Sequence, residues 1–156
     1  MFAFSQEAEQ EIEKILARYP VKRSALLPLL HLAQDQEGYV TPEAMEEIAR
    51  RLDVSAAYVQ SVCSFYTMFH TRPVGKYIIL FCHNISCKLR GADQLLAYTA
   101  GKLGVEVGGT TPDRKFTLLK EECLAACCGA PMMRVNETFH EFLTREKIDQ
   151  ILDSLP

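Results

Sequence analysis

Two short stretches of the chain are crowded with thiols. Cys82-His83-Asn84-Ile85-Ser86-Cys87 holds a pair separated by four residues, and Cys123-Leu124-Ala125-Ala126-Cys127-Cys128 holds three within six positions. Thiols so close together form disulfides, exchange them, or hold a metal. The chain opens MFAFSQEAEQEIEK, acidic and without a basic leader, so no export signal is expected and a reducing compartment would keep the six cysteines free. Thiol–disulfide exchange normally uses C-x-x-C after a strand, and no such pair occurs. Structural zinc favours tighter C-x2-C knuckles. What remains is a C-x4-C pair, 35 intervening residues, and a second pair that is C-x3-C with Cys127 or C-x4-C with Cys128. A 2Fe–2S cluster needs four thiolates, two on each iron, so each loop would clasp one iron. Spacing does not choose between Cys127 and Cys128, because one residue of loop slack costs little.

Something must bring the two loops together, and the hydrophobic pattern says what. Residues 1–72 read as helices. Ile12, Ile15, Leu16 and Tyr19 recur at helical spacing before Pro20. Lys22 to Glu37 carries Leu26, Leu27, Leu30 and Ala33 up to Gly38, with Pro28 tolerated near its first turn. Thr41-Pro42 caps a third helix with Met45, Ile48, Ala49 and Leu52 inward. Ser55 opens a fourth, stapled by Val54 and Val59, with Val62, Cys63 and Tyr66 on the same face. Cys63 is therefore expected to be a small core hydrophobe.

After Pro73 the pattern changes. Tyr77 to Phe81 predicts a strand buried on both faces, Leu89 to Leu103 a helix ended by Gly104, and Phe116 to Leu119 a second strand. Met132 to Val135 and the alternating Phe139-His140-Glu141-Phe142 suggest a hairpin turning at Asn136-Glu137-Thr138, and Thr144 caps a last helix. Residues 73–156 thus form a small α/β domain in which both thiol pairs follow strands. Cys87 is expected just before a helix N-terminus, whose free N–H groups favour thiolate charge.

Composition excludes more than it assigns. Hydrophobic residues make up 48% and the formal net charge is −3, so no basic stripe points to nucleic acid. The longest apolar run is about six residues, far short of the roughly 20 that cross a bilayer. No dinucleotide fingerprint or P-loop is present. Gly108-Gly109 lacks the strand–glycine–helix context of a phosphate cradle and reads as a turn. His31, His70 and His140 are scattered and read as structural or exposed. His83 is not counted as a ligand while four cysteines are available, and Met132 and Met133 read as strand core and shielding.

The stretches CHNISCKLRGAD, ECLAACCGAPMMRVN and FLT resemble the thioredoxin-like 2Fe–2S subunit of respiratory NADH:quinone oxidoreductase, complex I (the NuoE-type subunit). QDQEGYVTPEAMEEIA and FYTMF resemble the helical N-terminal domain of the same family, so the likeness covers nearly the whole chain. It implies an α+β protein: an N-terminal helical bundle followed by a thioredoxin-like α/β ferredoxin domain. It implies one 2Fe–2S cluster on Cys82, Cys87, Cys123 and Cys127, with Cys128 a bystander. Ala130-Pro131 falls where thioredoxin-like folds often keep a cis proline. Ala125 stands where the family commonly has glycine, and the loop is expected to take negative φ there.

The implied function is electron transfer as a non-catalytic subunit. FMN and NADH would lie on a partner, the flavin-bearing, NADH-oxidising subunit of complex I, with the large iron–sulfur subunit nearby and the helical domain as a docking element. The implied location is cytoplasmic, peripheral on the inner face of the cell membrane, without direct insertion. Related modules serve soluble NAD-linked hydrogenases and formate dehydrogenases, and a free-standing thioredoxin-like ferredoxin is a further alternative.

Overall fold

The computed structural model describes residues 2–156 and divides into two compact units, Met1–Pro73 and Val74–Pro156. The first is helical: α1 Gln6–Arg18, α2 Leu26–Glu37, α3 Pro42–Leu52 and α4 Ala56–Phe65. Side chains of Ser5, Thr41 and Ser55 accept the backbone N–H of Ala8, Ala44 and Tyr58, closing the first turns of α1, α3 and α4. Its core is aliphatic, with Ile12, Leu29, Leu30, Ile48 and Val59 almost fully enclosed. Cys63 belongs to this core, and burial pushes its thiol pKa up, as expected of a structural cysteine. Arg51 ties α1 to α3. Its Nη atoms reach the two carboxylate oxygens of Glu9 at 2.6 and 2.5 Å, and its Nε reaches Glu47 at 2.6 Å. The same guanidinium holds the Glu9 carboxyl below its ordinary range.

Three expectations for this unit are corrected. The run from Lys22 begins as a separate 3-10 turn, Lys22–Ala25, and becomes α-helical only at Leu26. Pro28 has no N–H to give residue 24, and its ring crowds that carbonyl, so one continuous α-helix through both is excluded. Leu29, not Leu27, joins Leu26, Leu30 and Ala33 in the buried stripe of α2. Tyr66 lies beyond the end of α4 and is exposed along with Phe65, rather than packed on the inner face.

The second unit is a four-stranded sheet in the order β2-β1-β3-β4, where β1 is Tyr77–Cys82, β2 Phe116–Glu121, β3 Met133–Val135 and β4 Thr138–His140. Strands β1 and β2 run parallel, in register from Tyr77↔Phe116 to Cys82↔Glu121, and β3 runs antiparallel to β1 with Phe81 opposite Met133. The connection between β1 and β2 carries α5 Ile85–Leu89 and α6 Ala92–Leu103, and α7 Arg145–Ser154 closes the chain. One sheet face supplies Ile79, Phe81, Leu118, Met133 and Val135 to a core shared with Leu95 and Leu96 of α6 and Ile148 and Leu152 of α7. Ile78 and Leu80, on the other face, are only half-buried, so the expectation of a strand buried on both sides is not met. Asn136, at positive φ in the hairpin, holds that turn onto β1: its Oδ1 accepts the Ile78 N–H at 2.8 Å and its Nδ2 donates to the Lys76 carbonyl.

Candidate metal centre

The register of the sheet decides where the thiols go. Because Cys82 pairs with Glu121 in parallel strands, the chain leaves β1 at Cys82 and β2 just before Cys123 on the same edge. The antiparallel β3 enters the sheet at that edge too, so Ala130, Pro131 and Met132 arrive beside the thiol loops. Cys82 N–H donates to the Met132 carbonyl at 3.2 Å, and His83 N–H to the Glu121 carbonyl at 3.1 Å. Three chain segments therefore converge on one end of the sheet.

The first loop is partly helical. Ile85–Leu89 is a short helix with Cys87 inside it, and Gly91 separates it from α6 at a φ of +86°. Cys87 is thus held within a helical turn rather than ahead of a helix N-terminus. Gly91 is the reason: with no Cβ it takes the left-handed conformation that breaks a continuous run from Leu89. Cys82 and Cys87 are 2% and 1% exposed, and pack with Ala92, Ala130 and Met132 into a small core distinct from that of the sheet.

The second loop is built otherwise. Cys123, Cys127 and Cys128 are exposed, while Leu124 and Ala126 rest on the thiol core. Ala125 has a φ of +59°, so the expected negative φ is overturned. Its N–H lies 3.3 Å from the Cys123 Sγ, so the left-handed turn folds the backbone back toward the thiol it follows. A short 3-10 turn, Cys127–Gly129, then leads into the cis Ala130-Pro131 bond. A Cβ at Gly129 would overlap the side chain of Glu141, so glycine is needed there for close packing.

Electrostatics couple the loops. The Cys87 thiol is pushed up to about 11, first by burial and then by the neighbouring Cys82 thiol, with Cys127 adding to the effect; a hydrogen bond from the Met132 backbone opposes it. Three of the four expected ligands, from both loops, thus lie within electrostatic reach of one another. Burial holds the Cys87 thiol in its protonated form, and a bound metal cation would supply the positive charge that favours the thiolate. Among the described residues no three His, Cys, Asp or Glu side chains are gathered as a ready metal site. The expected ligands, two from each loop, suit a binuclear cluster that takes two ligands on each iron.

The remaining residues fall into place around this. Met132 and Met133 are fully buried, the first in the thiol core and the second in the sheet core. His83 lies 3.0 Å from Glu122 through its Nε2, bridging the residues that follow Cys82 and precede Cys123. Sequence reasoning missed Arg90, whose Nη1 donates to the Ala130 carbonyl at 3.0 Å. The signal available was its position, three residues beyond Cys87, one helical turn away.

A parallel β-α-β unit, an antiparallel hairpin and a closing helix, with thiols gathered at the strand ends, define a thioredoxin-like ferredoxin. Residues 12–156 match the model of the thioredoxin-like [2Fe-2S] ferredoxin family. The second E-type subunit of the NADH-quinone oxidoreductase of Rhizobium meliloti is 42% identical over 145 residues, covering 93% of this chain and 86% of that protein. The E-type subunit of Rickettsia conorii is 43% identical over 157 aligned positions, with 99% and 94% covered, and subunit 2 of the Thermus thermophilus enzyme is 39% identical over 155, with 97% and 86%. Among solved structures, the air-oxidized NAD+-reducing [NiFe]-hydrogenase shares the fold with a TM-score of 0.75 at 21% identity; the match covers 84% of this chain and 22% of that one. The chain belongs to the thioredoxin-like [2Fe-2S] ferredoxin family, among the E-type subunits of NADH-quinone oxidoreductase.

Proposed function

We propose that the chain is the electron-transfer, NuoE-type subunit of an NADH-quinone oxidoreductase, holding one 2Fe–2S cluster on Cys82, Cys87, Cys123 and Cys127. The observation that carries this reading is the convergence of both thiol loops at one edge of the sheet, set by the parallel register of β1 and β2. Bound there, the cluster supplies one-electron transfer at a potential set by its surroundings. The chain's own contribution is to hold the thiols, enclose two of them, and set what surrounds them. Cys128 is outside the ligand set on the family's spacing.

NADH gives up two electrons as hydride, so a flavin must stand between it and a one-electron centre. No nucleotide-binding motif occurs in this sequence, and the hydride step falls to a partner, the flavin-bearing NADH-oxidising subunit. The helical unit presents Tyr58, Phe65, Tyr66 and Met68 to solvent, Phe65 at 77% exposure, which suits a docking element. No helix among the described residues is long and apolar enough to cross a membrane.

Stopped-flow spectra test the reading. NADH mixed with the isolated, cluster-loaded chain should leave the cluster oxidised; with the flavin-bearing partner present, NADH should drive reduction of artificial acceptors. Rapid NADH oxidation by the chain alone would show that it carries an active site of its own.

A further inference from the structure

We infer that Arg90 tunes the reduction potential of the cluster, its charge held on the carbonyl of Ala130, which packs with Cys82 and Cys87. This rests on the cluster reading above and adds a residue outside the ligand set.

Arg90 ends the short helix that contains Cys87, and its backbone N–H donates to the Cys87 carbonyl at 3.1 Å. Its guanidinium reaches across to the Ala130 carbonyl at 3.0 Å. Ala130 in turn donates its N–H to the Cys127 carbonyl at 3.3 Å and packs, 1% exposed, against Cys82 and Cys87. One side chain therefore links the segment of Cys87, in the first loop, to that of Cys127, in the second. The planar guanidinium is permanently charged and its donors point in fixed directions, so the hydrogen bond also fixes where the charge sits. A four-thiolate cluster is anionic and gains a further negative charge on reduction. A cation fixed beside it favours the reduced form and raises the potential.

A second strut provides a built-in comparison. His83 and Glu122 also join the two loops. Arg90 is an exposed residue too, but its hydrogen bond to Ala130 is partly buried, whereas the His83–Glu122 contact is open to water, with Glu122 84% exposed, and is worth little. The expected order of influence is Arg90 first and Glu122 far behind.

The test is redox titration of the cluster-loaded chain, followed by visible absorption and EPR, for the wild type, Arg90→Gln, Arg90→Lys and Glu122→Gln. Arg90→Gln should move the midpoint potential to a more negative value, Arg90→Lys should keep it near that of the wild type, and Glu122→Gln should move it less than Arg90→Gln does. If Arg90→Gln does not retain a cluster, loading of Arg90→Lys at a near-wild-type potential supports the same conclusion. An unchanged potential in Arg90→Gln, equal shifts in Arg90→Gln and Arg90→Lys, or loss of the cluster from both overturns it. Absence of a 2Fe–2S signal from the wild type itself would instead sink the proposed function.

Discussion

The two thiol loops, for which one job is proposed, have opposite constructions. The first is prebuilt: Cys82 ends a strand, Cys87 sits in a helical turn, and both are enclosed. The second is a surface loop whose cysteines are exposed and whose backbone passes through a left-handed alanine. The enclosed pair is fixed by the strand end and the helical turn that carry it. The exposed cysteines lie on a loop open to solvent. The difference assigns rigidity to one half of the site and access to the other.

Serine substitution breaks the comparison most severely. Serine at Cys82, Cys87, Cys123 or Cys127 should abolish or strongly alter the EPR signal of the reduced cluster, while serine at Cys63 or Cys128 should leave it nearly intact. Loss of the signal on Cys128→Ser with retention on Cys127→Ser would move the second ligand by one residue.

In the cofactor-free chain the halves should separate again. A buried serine hydroxyl at position 87 without a good partner costs roughly 1–3 kcal/mol, whereas the exposed Cys127→Ser should stay within about 0.5 kcal/mol of wild type. Urea denaturation of both variants measures the gap, and equal destabilisation would contradict a prebuilt first loop.

The same asymmetry has a pH signature. The Cys87 thiol is raised from 9.0 to about 11 in the folded chain. Above pH 9 the unfolded state loses that proton first and binds fewer protons than the native state, so stability falls with rising pH until the folded thiol also ionises near 11. The Cys87 part of the loss is on the order of 2 kcal/mol for the cofactor-free protein, is fully absent below pH 9, and should be missing from Cys87→Ser, while the part due to the raised Cys63 thiol remains. Stability curves from pH 8 to 11 check it; a flat wild-type profile would contradict it.

The smallest effect sharpens the second loop. Ala125 bears the cost of a left-handed conformation, and Ala125→Gly should stabilise the loop by up to about 1 kcal/mol, offset in part by the entropy of glycine. A destabilised variant with an intact cluster would show that the Ala125 side chain has a packing role.

How much of this is legible in the sequence follows from the same physics. Helical stripes, caps at Thr41, Ser55 and Thr144, and the strand around Ile79 and Phe81 are local signals, and the structure carries them. The convergence of the loops is not local: it depends on the parallel pairing of Cys82 with Glu121, which no spacing between cysteines states. The helix around Cys87 is hidden because Ile85-Ser86-Cys87-Lys88-Leu89 is too short to show a period, and Gly91 separates it from the longer run. The positive φ of Ala125 runs against sequence expectation because alanine normally avoids that region. Arg90 shows only as a basic residue one helical turn beyond Cys87: its partner is a backbone carbonyl 40 positions away, and a carbonyl leaves no mark in the sequence.

The central claim, four thiols from two loops around one binuclear cluster, is tested most directly by metal and sulfide analysis of the purified chain together with its visible spectrum. The expected result is a red-brown protein with two irons and two acid-labile sulfides per chain and no stoichiometric zinc. A colourless protein with one zinc per chain would contradict it.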